Sequence, residues 1–175
     1  MAYSGKFTPK NIKKYRGDWK NIIYRSMWER HAFNWCDTTS EVLGWSSEEV
    51  VIPYVYDIDK KFHRYFMDLR IDFKGGKTII VEIKPKKETV PPINPGRKTK
   101  KYLNEGLTYI KNQNKWEAAK KYADKRGWEF HIWTEDTLNA MGIMPKPVKR
   151  AKAYPKKLKP YPKSKKTFKP FPKKK

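Results

Sequence analysis

One cysteine and three histidines in 175 residues leave little from which to build a metal centre of sulfur or imidazole. Cys36 alone cannot close an intramolecular disulfide or supply a thiolate-rich zinc site, and His31, His63 and His131 show no ligand spacing. Long apolar runs are missing too. None approaches the roughly 20 residues needed to cross a bilayer, and the first stretch, "MAYSGKFTPKNIKKYRGDW", has no apolar segment of the signal-peptide kind. An intracellular soluble protein with no membrane partner is therefore expected. No glycine-rich phosphate loop joins a strand to a helix, which excludes a doubly wound dinucleotide fold, and no repeat of solenoid length occurs. Acidic residues are scarce, 18 against 41 Lys and Arg, for a formal charge of +23 and a pI near 10.0. Such a balance points to a polyanionic partner.

The excess charge is concentrated at one end. Residues 145–175, "PKPVKRAKAYPKKLKPYPKSKKTFKPFPKKK", hold thirteen Lys, one Arg, seven Pro and no acid. The remaining 27 basic residues face all 18 acids, so residues 1–144 carry +9 and the tail +14. Like-charge repulsion and proline oppose helix and sheet, so the tail is expected to be a disordered, partly polyproline-II arm. Its lysines, Lys156, Lys157, Lys163, Lys165 and Lys166 among them, would neutralise phosphates. The rings of Tyr154, Tyr161 and Phe171, each before a proline, would stack on unpaired bases. A merely solubilising tail is the alternative.

Residues 1–144 read as one domain, entered through a basic, irregular arm over 1–20. A helix is expected from about Ser26, in "SMWERHAFNWCDTT", with an apolar flank of Met27, Trp28, His31, Ala32 and Trp35. Short strands follow around 41–45 and 48–54, a polar turn at "YDIDKK", and a long alternating strand over 63–73. "KGGK" at 74–77 is a hairpin signal, and "TIIVEIK" is the return strand. After a Pro/Gly/Lys-rich loop at 85–100 come a helix from about Thr99 to Arg126 closed by Gly127, a strand over 128–133 and a short helix capped by Thr134. The order implies a mixed α/β sandwich around one mostly antiparallel sheet flanked by helices.

Charges inside the expected sheet need an account, because buried charge is costly unless it is paired or holds an ion. Glu82 and Lys84 share a face with Ile80, and Asp68 interrupts the preceding strand. The hairpin register decides whether the acids meet. A two-residue Gly75-Gly76 loop would pair Asp68 with Ile83 and put the acids on opposite faces. A three-residue Lys74-Gly75-Gly76 loop, or a one-residue bulge, pairs Phe73 with Lys77 and sets Asp68 opposite Glu82. Two carboxylates so close would repel unless a hard divalent cation lay between them. Mg²⁺, with Mn²⁺ as a substitute, would suit Asp68, Glu82 and the Ile83 carbonyl, with Lys84 serving water or a phosphate in phosphodiester hydrolysis. The competing account is a solvated charged stripe with an ordinary Glu–Lys pair. Glu29, three residues after Ser26, completes a capping box and could instead reach the metal. His63, Arg64, Lys86, Lys87, Gln113 and Lys115 are further candidates for contact with DNA, or residues facing only water. His31, His131 and Cys36 are expected to pack rather than react.

Asp68 followed by Glu82-Ile83-Lys84 on a return strand resembles the PD-(D/E)xK nuclease signature. Together with Glu29 and "KWEAAKKYADKRGWEFHIWTED" (115–136), it resembles the TnsA-type endonuclease branch. "MAYSGKFTPKNIKKYRGD", "YRSMWE", "VIPY", "RYFMD" and "VEIKPKKET" are similar to the head completion nucleases of large tailed bacteriophages, over roughly residues 1–143 and not over the tail. The resemblance implies a restriction-endonuclease-like core. Glu29, Asp68 and Glu82 would be its metal-binding acids, and Lys84 its catalytic lysine. The activity implied is Mg²⁺-dependent cleavage of double-stranded DNA during virion maturation. Head or neck proteins would be the partners, and virion and host cytoplasm the locations. Met67 stands where a proline commonly precedes the aspartate in the wider superfamily; "FMD" is shared with the phage branch. Two alternatives use the same fold: a non-catalytic virion protein that binds DNA ends, and a junction resolvase or repair nuclease.

Overall fold

The computed structural model describes residues 3–145; the predicted basic tail lies outside them. Strands β1 (Gly5–Lys6) and β2 (Ile23–Tyr24) form a small ribbon, followed by helix α1 (Met27–Thr38) and strand β3 (Val42–Ser46). Next come the hairpin β4 (Val51–Tyr56) and β5 (Lys61–Phe66), then β6 (Leu69–Phe73) and β7 (Thr78–Ile83). Helix α2 (Lys100–Asp124), strand β8 (Glu129–Trp133) and helix α3 (Glu135–Ala140) complete the order. The main sheet runs β3-β6-β7-β8, antiparallel except for the parallel β7–β8 pair, while β4–β5 forms a separate two-stranded ribbon.

β7 is buried along nearly its whole length because both faces of the sheet are covered, which is why it reads as an apolar run interrupted by Glu82. Ile79, Val81 and Ile83 pack with Ala32, Phe33 and Cys36 of α1, and with Leu69, Ile71, Trp45 and Trp133. Ile80 points the other way, into a second cluster with Ala119 and Ala123 of α2, Ile52, Tyr54 and Tyr65 of the hairpin, and Met67 just after it. By strand alternation Glu82 follows Ile80 to the α2 side. The basic N-terminal stretch is docked on the α1 side. Asp37 accepts the Lys10 and Asn11 backbone N–H groups at 2.7 and 3.2 Å, and the Tyr15 ring meets Trp45 edge-on with centroids 4.8 Å apart.

The helix boundaries follow their caps. Ser26, Thr99 and Thr134 each accept a backbone N–H in the first turn of the helix they precede, worth about 1 kcal/mol apiece. Gly127 takes a φ of 66° just beyond α2, a conformation that disfavours any residue with a Cβ.

One expectation fails. Residues 63–73 do not form a single strand. The chain leaves the β4–β5 ribbon at Phe66 and enters the main sheet at Leu69, so Met67 and Asp68 are the crossing point. Tyr65 and Met67 bury into the α2 cluster, whereas Leu69 and Ile71 bury on the α1 side. Asp68 therefore does not share a face with Phe66, as unbroken alternation requires; Phe66 is turned out to solvent and Asp68 in toward β7.

Candidate active site

The β6–β7 turn is the three-residue form. Leu69 faces Val81, Asp72 faces Thr78, and the Phe73 N–H donates to the Lys77 carbonyl at 2.8 Å. Gly75 and Gly76 carry the positive φ values, 87° and 85°, that close the loop. The same register carried one step on sets Asp68 against Glu82. Asp68 Oδ2 accepts the Ile83 N–H at 2.7 Å, fixing the carboxylate over the end of β7.

Glu82 is 2 % exposed, which rules out the solvated stripe. Its Oε1 lies 3.3 Å from Lys84 Nζ, and its Oε2 accepts the Tyr65 hydroxyl at 2.7 Å. Burial, then the neighbouring Glu82 charge, push the half-buried Asp68 well above the ordinary carboxylate range, against the Ile83 N–H and Lys84, which favour its ionised form. For Lys84 burial opposes the charged amine, but Glu82 and Asp68 outweigh it and hold the lysine protonated above its usual value. Lys115, reaching in from α2 with its Nζ 4.8 Å from the Tyr65 ring centroid, is shifted down, chiefly by burial.

These groups suit a hard divalent ion. Two carboxylates share a poorly solvated corner, and Asp68 Oδ1 has no hydrogen-bond donor among the described residues. No three Asp, Glu, His or Cys side chains among the described residues gather into a complete ligand set. Asp68 and Glu82, with the Ile83 carbonyl, are the oxygen donors at hand. Glu29 lies on the rim of an adjoining cleft of about 410 Å³ lined also by Ser26, Trp28, Ile83 and Lys84. Its carboxylate is engaged locally: Oε1 accepts the Ser26 hydroxyl at 2.9 Å and Oε2 the Arg25 N–H at 2.6 Å, while Ser26 Oγ accepts the Glu29 N–H at 3.2 Å. The cap forms, with the carboxylate on the N–H before the cap residue instead of on that of Ser26.

The candidates for DNA contact are scattered. His63 bonds Asp59 at 2.8 Å, Lys86 pairs with Asp136 at 2.8 Å, and Arg64, Lys87 and Gln113 are exposed. Only Lys115 joins the site, while Lys156, Lys157, Lys163, Lys165 and Lys166 lie outside the described residues. His131 bonds Glu129, and Cys36 is fully buried with its thiol pushed up by that burial, so neither is placed to react. Tyr65 is the site residue that sequence reasoning missed, because a tyrosine alternating in a strand looks like core. Arg25 was missed as well; it forks onto Glu48 at 2.9 and 3.0 Å beside the crossing point, where the Glu48 N–H holds the Met67 carbonyl at 2.9 Å.

Residues 39–135 match the family model described as the TnsA-like endonuclease N-terminal domain, a span that takes in Asp68, Glu82, Lys84 and Lys115. The chain belongs to the TnsA-like endonuclease family. It is also 50% identical over 147 residues to the "Head completion nuclease" of Enterobacteria phage T4, a match covering 82% of this chain and 98% of that relative. The resemblance read from the motifs is thereby borne out: the chain is an endonuclease of the phage head completion kind, in a family whose members typically depend on a metal ion. No helix among the described residues is long and apolar enough to cross a membrane.

Proposed function

We propose that this endonuclease hydrolyses double-stranded DNA with Mg²⁺ held by Asp68, Glu82 and the Ile83 carbonyl, Mn²⁺ serving as a substitute, during completion of the phage head. The observation that carries the reading is the hairpin register, which sets two desolvated acids against each other beside a protonated lysine. A bound Mg²⁺ would supply positive charge to the scissile phosphate and lower the pKa of a water. Asp68 orients through the Ile83 N–H, and Glu82 through Tyr65. Lys84, charged and 28 % exposed on its side chain, is the donor available to the phosphate oxygens or the attacking water. Glu29 would contribute only by giving up its cap to Ser26 and Arg25. The head or neck of the virion is the proposed place of action, with head or neck proteins as partners and the host cytoplasm as the place of synthesis. The +23 charge favours DNA as the polyanion.

The test is cleavage of supercoiled and linear duplex DNA with Mg²⁺ or with chelator. Wild type should cut only with the ion. Asp68→Ala and Lys84→Ala, folded by circular dichroism, should lose at least about two orders of magnitude in rate. Wild-type activity no higher than that of these variants, over a range of divalent ions and substrates, would favour the non-catalytic DNA-binding role. Selective cutting of branched DNA would favour the resolvase.

A further inference from the structure

We propose that Tyr65 is the positioning residue for Glu82, holding one carboxylate oxygen so that the other is presented to the cation; the inference rests on Asp68 and Glu82 being the metal-holding acids. The two oxygens of Glu82 have unlike partners. Oε2 receives the Tyr65 hydroxyl at 2.7 Å, a short charge-assisted bond between two groups each 2 % exposed. Oε1 has Lys84 Nζ at 3.3 Å, at the end of a flexible chain that is 28 % exposed on its side chain.

The phenol has little room to move. Its ring meets Tyr54 edge-on with centroids 6.4 Å apart, packs in the cluster with Met67 and Ile80, and is covered by Lys115 Nζ at 4.8 Å. A lysine that can swing toward solvent is the partner a cation displaces; a hydroxyl on a buried ring is not. Displacement at Oε1 also frees the Lys84 amine for the phosphate, so one exchange completes two roles. Packing does not explain the hydroxyl, since phenylalanine would fill the same space among Tyr54, Met67 and Ile80, and Glu82 is its hydrogen-bond partner. Hydrogen bonds to ligating carboxylates commonly set metal affinity. The arrangement also gives the β4–β5 ribbon a task in the chemistry, because β5 carries Tyr65 and leads within three residues to Asp68.

The experiment is Mn²⁺ binding to the full chain without DNA, by titration calorimetry and by loss of the free-ion electron paramagnetic resonance signal. Wild type, Tyr65→Phe and Asp68→Asn are compared at a temperature where circular dichroism shows all three folded. Tyr65→Phe, which keeps the ring, should weaken Mn²⁺ binding about tenfold or more. In parallel cleavage assays it should lower kcat with little change in KM for DNA. If Tyr65→Phe binds Mn²⁺ as wild type does while Asp68→Asn does not, Tyr65 only packs and the proposal is overturned with the site intact. If wild type and Asp68→Asn bind alike, or neither binds, the assignment of the acids fails and the Tyr65 proposal fails with it.

Discussion

Asp68 carries opposed demands. Its backbone position at the crossing between ribbon and sheet helps form the core, yet its carboxyl is desolvated and faces a second acid. A carboxyl whose folded pKa lies above its unfolded value binds more protons in the native state. Its stabilising contribution is complete below the unfolded value, near pH 4, and is lost as pH rises through the folded one. In chelator, wild type should therefore lose stability relative to Asp68→Asn across that window, by at most about 1.4 kcal/mol per pH unit. Mg²⁺ should recover the loss in wild type and not in the variant. Melting temperatures of the two proteins from pH 4 to pH 8, with and without the ion, check this; a difference that stays constant with pH would contradict it. The side chain's neighbours were only partly legible in advance. Glu82 and Lys84 stand out as charges in an apolar run, whereas Tyr65 and Lys115 look like an ordinary strand aromatic and a helix-surface lysine until the fold brings them to Glu82.

Among the elements, the β6–β7 hairpin does most to build the site. A side-chain period of two means that a loop one residue shorter would turn Glu82 away from Asp68, so the Lys74-Gly75-Gly76 loop is a requirement of the chemistry as well as of the turn. The two glycines mark the turn but leave both loop lengths open; the capped starts at Ser26, Thr99 and Thr134 could be worked out from the residues alone. The break at Met67–Asp68 could not. Alternation of apolar residues continues through it, and the chain changes layers only because Tyr65 and Met67 have α2 to pack on while Leu69 and Ile71 have α1. Which cover a strand residue finds is a long-range fact with no local signal. Glu29 shows the opposite limit: the cap is written in the Ser26–Glu29 spacing, and the structure adds that its two carboxylate oxygens are taken by the Ser26 hydroxyl and the Arg25 N–H.

For the whole molecule, charge is the dominant feature, and it is unevenly divided along the chain. Residues 1–144 carry +9 and include Asp68, Glu82 and Lys84, whereas 145–175 carry +14. Ile143 and Met144 still pack against the core, so a chain ending at Met144 keeps its hydrophobic contacts. Such a truncation should weaken duplex binding and flatten its dependence on salt, because fewer counterions are released, with the melting temperature nearly unchanged. Affinities measured at several salt concentrations decide the point; equal slopes for the two chains would deny the tail a part in holding DNA. The proposed chemistry occupies a smaller volume, the corner where β6 and β7 meet. A crystal structure of the protein soaked in Mn²⁺, read by anomalous scattering, tests it most directly. An ion should be bound by Asp68, Glu82 and the Ile83 carbonyl, with Lys84 moved off Glu82 Oε1 and Tyr65 still on Oε2. An empty corner with the Lys84–Glu82 pair intact, in crystals where Mn²⁺ binds elsewhere, would contradict it.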